Sequence, residues 1–142
     1  MPAPKLVREI MTTELTTLEH DATLLDAALL MRSSGFRHLP VVKEGRLVGV
    51  LSDRDVHRAS PSIFSNITPE EYNRLFETTP IAKVMAREPV SVSPETPVPD
   101  VVRLMHEHKF GSVPVVEGDQ QLVGIVTTTD MLRVLSELLS KS

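Results

Sequence analysis

The chain has 142 residues, 41% of them hydrophobic and 24% charged, which is the balance of an ordinary globular domain. A formal net charge of −4 gives no excess of basic residues with which to bind nucleic acid or an anionic membrane. The absence of cysteine excludes disulfides, thiolate metal sites and thiol nucleophiles. Because the first residues carry charges where a signal peptide needs an apolar run, and no apolar stretch approaches the roughly 20 residues of a membrane helix, we expect a soluble cytoplasmic protein.

The first half of the chain predicts, in order, a short strand, a helix, a hairpin and a closing helix. The apolar segment LTTL at 15–18 predicts the strand, and HDAT supplies turn residues and a cap for the helix LLDAALLMRSSG, which ends at Gly35. The segments HLPVV and RLVGVL, joined by the tight turn KEG, predict a β-hairpin. The closing helix is predicted to begin near Asp53.

The second half of the chain repeats this order after a linker. In the linker, Thr68-Pro69-Glu70-Glu71 places proline at a first helical position and acids in a first turn, which predicts a short helix at 69–76. The segment PVSV at 89–92 then predicts a strand, and SPET predicts a cap for the helix PVPDVVRLMHEHKFG. SVPVV and QLVGIV predict a hairpin, and a closing helix is predicted near Thr128.

The two halves are copies of one unit. Met11 and Met85 are 74 residues apart, while Asp55 and Asp130 are 75 apart because the second hairpin turn has one extra residue. A copy of about 50 residues is too small to bury a good core alone, so we expect the two copies to share one. The predicted boundaries are 1–59 for the first repeat, 60–80 for the linker and 81–142 for the second repeat.

The repeat resembles the CBS (cystathionine β-synthase) domain, whose tandem pairs form Bateman modules. The resemblance rests on Ile10-Met11-Thr12 and Val84-Met85-Ala86, on the PVV of each hairpin, and on GVLSDRD at 49–55 with GIVTTTD at 124–130. It implies an α/β fold of two β-α-β-β-α repeats with pseudo-two-fold symmetry, packed through their sheets, with ligand clefts between the repeats and flat homodimers. RDVHRASPSIF is also similar to the inter-repeat stretch of acetoin-utilisation B-type proteins, whose usual extra C-terminal domain we do not expect here.

The Ser/Thr-x-x-Asp motif of each copy has two interpretations. In a capping box, the hydroxyl of Ser52 or Thr127 accepts from the backbone three residues on, and the aspartate reaches back to the cap residue. Such a helix start also offers N–H groups to a phosphate. The resemblance implies that Asp55 and Asp130 hold ribose hydroxyls and that Ser52 and Thr127 lie near the phosphate.

The resemblance also implies the other residues of two ligand sites. The planar guanidinium of Arg37 suits a phosphate, although a solvated charge at the end of a strand explains it equally well. The second copy has Gly111 and Ser112 at the positions of Arg37 and His38. The predicted binding residues are Thr12, Thr16, Arg37, His38, Val50, Ser52 and Asp55 for the first cleft, and Arg54, Ala86, Val90, Ile125, Thr127, Thr129 and Asp130 for the second.

We therefore predict a regulatory module that binds AMP, ADP, ATP or another adenosyl compound and modulates an unknown effector protein. If only one cleft holds a ligand, we expect it to be the cleft at Asp55. A structural or interaction dimer with vestigial clefts is the alternative.

An enzyme is not predicted, because the sequence has neither a G-x-S-x-G elbow nor a phosphate-binding P-loop motif. We also predict no catalytic cofactor and no metal, since His106 and His108 are two residues apart on a predicted helix and cannot chelate one ion.

Overall fold

The computed structural model describes residues 3–60 and 66–141. These residues contain five α-helices and six β-strands, which confirms the mixed α/β class. The predicted linker and the end of the RDVHRASPSIF segment lie partly outside the described residues, at 61–65. Two compact units are formed, one by Thr16–Pro89 and one by Met1–Leu15 with Val90–Ser142, and we name them the Asp55 unit and the Asp130 unit. No described helix is both long and apolar enough to cross a membrane.

The Asp55 unit combines a small sheet with three helices. Strand β1 pairs in parallel with β2, β2 and β3 form the predicted hairpin, and β4 pairs antiparallel with β3. The elements in chain order are β1 (Leu18–Glu19), α1 (Leu24–Ser34), β2 (His38–Lys43), β3 (Arg46–Ser52), α2 (Asp53–Ala59), α3 (Pro69–Thr78) and β4 (Ala86–Arg87).

The ends of these elements follow the local chemistry that the sequence predicts. Thr23 caps α1 by accepting a hydrogen bond from the amide of Asp26, and Gly35 ends the helix with a φ of 79°. In the hairpin turn, Glu44 and Gly45 have φ angles of 53° and 77°, as a tight turn between twisted strands requires. The predicted linker helix is also present and ends two residues later than predicted, at Thr78.

The Asp130 unit contains a second hairpin and two helices. Strands β5 and β6 are antiparallel, Thr12 makes a single bridge with Ile125, and Val92 makes a single parallel bridge with Val115. The strand predicted at 89–92 is therefore reduced to this one bridge. The elements are a 3-10 turn at Val7–Glu9, α4 (Val98–His108), β5 (Ser112–Glu117), β6 (Gln121–Thr127) and α5 (Thr128–Ser140).

The cap predicted for α4 within SPET is wrong. The helix has Pro97 at its N-cap position and no side-chain cap. Thr96 instead accepts a hydrogen bond from the amide of Ser93, at 3.0 Å, inside the preceding turn. The physical reason is a single difference between the copies, because Pro97 occupies the place of Thr23 and has no side-chain oxygen.

The leading segment of each copy, residues 7–12 in the first and 81–86 in the second, belongs to the unit of the other copy. Ile81, which opens the second repeat, is fully buried in the core of the Asp55 unit, and its amide donates to the carbonyl of Ala22 at 2.9 Å. Val7, from the first repeat, is fully buried in the core of the Asp130 unit, and its amide donates to the carbonyl of Thr96 at 2.9 Å. Each unit thus has its own core cluster, completed by a segment from the other copy.

The exchanged segments press a methionine against a glycine in each hairpin. A Cβ on Gly49 would lie 2.5 Å from Sδ of Met85 and 2.9 Å from the carbonyl oxygen of Ala86. A Cβ on Gly124 would lie 2.6 Å from Sδ of Met11 and 3.2 Å from the carbonyl oxygen of Thr12. Close backbone approach therefore explains the glycine that opens GVLSDRD and GIVTTTD.

We expect Gly49→Ala to lower the free energy of unfolding by about 1–3 kcal/mol, because the added methyl group overpacks against both a side chain and a backbone oxygen. Gly124→Ala is the matched comparison and should cost less, since both sites meet a flexible methionine side chain but the backbone oxygen is 3.2 Å away at Gly124 and 2.9 Å away at Gly49. Urea denaturation of both variants measures the difference. Equal midpoints for the wild type and Gly49→Ala would contradict the close packing.

Candidate functional site

Both Ser/Thr-x-x-Asp motifs form capping boxes at a junction between a strand and a helix. At the start of α2, the amide of Ser52 donates to Oδ2 of Asp55 at 2.9 Å, and the amide of Asp55 donates to Oγ of Ser52 at 3.1 Å. At the start of α5, the corresponding distances for Thr127 and Asp130 are 2.8 and 3.2 Å. The capping interpretation is thus confirmed in both copies, and any ligand role comes in addition to it.

Several residues predicted for the first cleft lie together around Asp55. The carbonyl of Arg37 accepts a hydrogen bond from the amide of Asp53 at 2.9 Å, which joins the segment between α1 and β2 to the first turn of α2. His38 is opposite Ser52 in the hairpin. The Arg37 side chain is exposed, and His38 and Ser52 are partly buried. A cationic side chain and a hydroxyl are therefore held next to the same helix start as the aspartate.

The apolar positions are distributed differently from the sequence-based grouping. Ala86, which the sequence grouped with Asp130, pairs with Val50 across β3 and β4 in the Asp55 unit. Thr12, which the sequence grouped with Asp55, bridges Ile125 in the Asp130 unit. The exchange of leading segments causes both changes. Of the remaining predicted residues, Thr16 and Arg54 lie in the Asp55 unit, and Val90 and Thr129 are exposed in the Asp130 unit.

The Asp55 carboxylate has spare hydrogen-bonding capacity. Its Oδ2 accepts from the amide of Ser52, and no donor to Oδ1 is found within residues 3–60 and 66–141. The residue is only partly buried. An ionised carboxylate is an acceptor with about four lone-pair positions, so Asp55 can take hydroxyl donors from a bound molecule while it continues to cap α2.

The Asp130 carboxylate is in the opposite condition. Only 2% of the residue is exposed. Its Oδ1 accepts from Oγ1 of Thr12 at 3.0 Å and from Nη2 of Arg133 at 3.2 Å. Its Oδ2 accepts from the amide and the hydroxyl of Thr127, at 2.8 and 3.0 Å. The protein therefore supplies four donors to this carboxylate itself.

Arg133 contacts Asp130 and is not among the residues that the sequence predicts for either cleft. It follows Asp130 by three residues, a spacing that places two side chains on the same face of a helix. Arg58 stands at the equivalent position after Asp55, so the repeat contained a signal for this arginine. The second contact of Arg133, a bond from Nη2 to the carbonyl of Ile10 at 3.1 Å, joins residues far apart in the sequence and had no such signal.

The histidines of α4 form no chelating group. The ring of His108 stacks on Phe110, with 5.2 Å between the ring centroids. No cluster of three or more histidine, aspartate or glutamate side chains that could hold a metal ion occurs in the described part of the chain.

Comparisons with known proteins agree with this arrangement. A model of the CBS domain matches the chain twice, at residues 7–62 and 81–137. A CBS domain-containing protein of Dictyostelium discoideum is 30% identical over 135 residues, which are 94% of this chain and 93% of that protein.

Two solved structures extend the similarity to the whole fold. A protein assigned to acetoin utilization, AcuB from Vibrio cholerae, has a TM-score of 0.79 and 34% identity, over 98% of this chain and 95% of its own. CBSX2 of Arabidopsis thaliana, solved in complex with AMP, has a TM-score of 0.79 and 28% identity, over 95% of this chain and 98% of its own. The chain belongs to the CBS domain family and carries two copies of the domain in tandem.

Proposed function

We propose that this chain is a regulatory module that binds an adenine nucleotide or a related adenosyl compound at the Asp55 unit and modulates a partner protein through the bound state. The observation that carries the proposal is the partly exposed Asp55 carboxylate, whose Oδ1 has no donor among the described residues. The AMP complex of the similar protein CBSX2 supports an adenosine-containing ligand. Neither observation calls for a catalytic residue, and the proposal assigns none.

The residues around Asp55 match the parts of such a ligand. The free Oδ1 of Asp55 accepts a hydrogen bond from a ribose hydroxyl. The exposed guanidinium of Arg37 offers two parallel N–H donors to a phosphate, and its backbone is held in place by the bond to Asp53. The paired residues Val50 and Ala86 offer an apolar surface of the kind that a base needs.

Regulation by this module requires two states that bind the ligand with different affinity. A ligand shifts an equilibrium only by the ratio of its affinities for the two states. A partner protein that reads one state then responds to ligand concentration, and the coupling between ligand and partner is reciprocal. We further propose that this sensing takes place in the cytoplasm, as the sequence predicts.

We also propose that the partner of each module includes a second copy of the chain. Helix α5 exposes Leu132, Leu135 and Leu138, which recur every three residues and follow one side of the helix. Pairing of the same face from two copies covers these leucines with a self-complementary surface.

Calorimetry with AMP, ADP, ATP and S-adenosylmethionine tests the ligand. We expect at least one of them to bind. Asp55→Asn should lower the affinity for that compound by about tenfold to a hundredfold, which is the loss expected when a hydrogen bond to a charged group is removed. Asn retains an oxygen for the cap, and Asp53→Asn is the matched control at the same end of the helix. If none of the four compounds bound at millimolar concentration, the structural or interaction dimer would be the better interpretation.

Arg37→Met distinguishes a phosphate contact from a solvated charge. We expect it to weaken the binding of AMP by about tenfold and to leave the binding of adenosine unchanged, because only AMP has a phosphate for the guanidinium. Arg32→Met, an exposed arginine of α1, is the control for a general loss of positive charge. Equal loss of AMP and adenosine affinity would show that Arg37 does not bind the phosphate.

Sedimentation velocity tests the homodimer. We expect the wild type to sediment as a dimer and Leu135→Lys to shift it towards the monomer, because a charge cannot be buried in an apolar interface without a partner. Leu29→Lys, at an exposed leucine of α1, is the matched control and should leave the dimer intact. A monomeric wild type would refute the pairing.

A further inference from the structure

We infer that Asp130, with Thr12 and Arg133, is a structural tie that fastens the N-terminal segment to α5, so that the chain holds one nucleotide, at Asp55, rather than two. The number of nucleotides rests on the proposed function. The tie itself rests only on contacts within the Asp130 unit.

The burial of Asp130 shows that its carboxylate is already occupied. A carboxylate removed from water is costly unless hydrogen bonds and an opposite charge compensate it. Arg133 supplies the charge, at 3.2 Å from Oδ1, and Thr12 supplies a hydroxyl donor, at 3.0 Å from the same oxygen. With both oxygens of Asp130 engaged, a ribose hydroxyl would have to displace one of these donors.

The donors to Asp130 belong to a wider set of contacts around the N-terminal segment. The amide of Thr12 donates to the carbonyl of Ile125 at 2.8 Å, and the amide of Ile125 donates to the carbonyl of Thr12 at 3.0 Å. Arg133 also bonds the carbonyl of Ile10 at 3.1 Å. Displacing Thr12 from Asp130 would therefore remove the acceptor of a partly buried hydroxyl and loosen the segment from α5.

Two differences distinguish Asp55 from Asp130 in the described part of the chain. The residue that corresponds to Thr12 is Ala86, which has no hydroxyl to donate. Arg58 corresponds to Arg133, and the described residues show no bond between Arg58 and Asp55. The same capping motif therefore leaves one carboxylate oxygen without a donor among the described residues of the Asp55 unit, while both oxygens of Asp130 are engaged.

The ligand-free test is a double-mutant cycle of Thr12→Val and Asp130→Asn, read by urea denaturation. Valine keeps the branched shape and the backbone bridge but removes the hydroxyl. We expect each single change to lower the equilibrium constant for folding by about tenfold, and the double change to be no worse than Asp130→Asn alone. Asp55→Asn should change the constant by less than about threefold, since Oδ1 of Asp55 has no donor among the described residues to lose. Additive effects at Thr12 and Asp130 would overturn the tie.

The binding test installs a hydroxyl donor at Ala86, the residue that corresponds to Thr12, with AMP as the probe. Ala86→Thr should weaken AMP binding by about tenfold, because the introduced hydroxyl competes with AMP for the Asp55 carboxylate. Ala86→Val introduces a side chain of similar size without a hydroxyl and should weaken AMP binding much less. Calorimetry of the wild type should give one AMP per chain.

The possible outcomes separate this inference from the proposed function. Two AMP molecules per wild-type chain, or loss of bound AMP in Asp130→Asn, would overturn the inference and leave nucleotide binding standing. Equal losses in Ala86→Thr and Ala86→Val would also count against it. If the wild type bound no AMP, the claim of one nucleotide would fail with the proposed function, and the double-mutant cycle would still decide whether Asp130 is a tie.

Discussion

The pairing of each leading segment with the hairpin of the other copy is the constraint on which the rest of the structure depends. It completes both cores, through Ile81 in one unit and Val7 in the other. It also requires glycine at positions 49 and 124, where the segments approach too closely for a side chain. Most importantly, it decides which residue meets which hairpin, because Thr12 bridges Ile125 and Ala86 pairs with Val50.

The two aspartates show how one motif can serve different purposes. Both cap a helix, and this local role accounts for the Ser/Thr-x-x-Asp spacing in either copy. The remaining carboxylate oxygen is controlled by the tertiary neighbour. Thr12 and Arg133 both donate to Oδ1 of Asp130, whereas Oδ1 of Asp55 has no donor among residues 3–60 and 66–141. A duplicated capping motif can thus keep its local role while the tertiary surroundings of its carboxylate differ between the copies.

Much of the secondary structure could be predicted from local chemistry. Thr23, Gly35 and the KEG turn placed the ends of α1 and the first hairpin, because caps and positive φ angles depend only on neighbouring residues. The cap predicted within SPET was wrong, because Pro97 stands where the first copy has the capping residue Thr23 and has no side-chain oxygen. The short strand at 89–92 was overestimated because its pairing depends on a distant partner, Val115.

The sequence by itself determined the duplication, the hairpins, the helix starts and the membership of the CBS domain family, since all of these depend on patterns along the chain. The residues proposed for the site could be chosen from the same patterns, but their grouping could not. Only the tertiary structure decided that Thr12 lies beside Asp130 and Ala86 beside Val50. The physical reason is that a side-chain hydrogen bond across 118 residues, such as that of Thr12 with Asp130, depends on chain topology and leaves no spacing to be read.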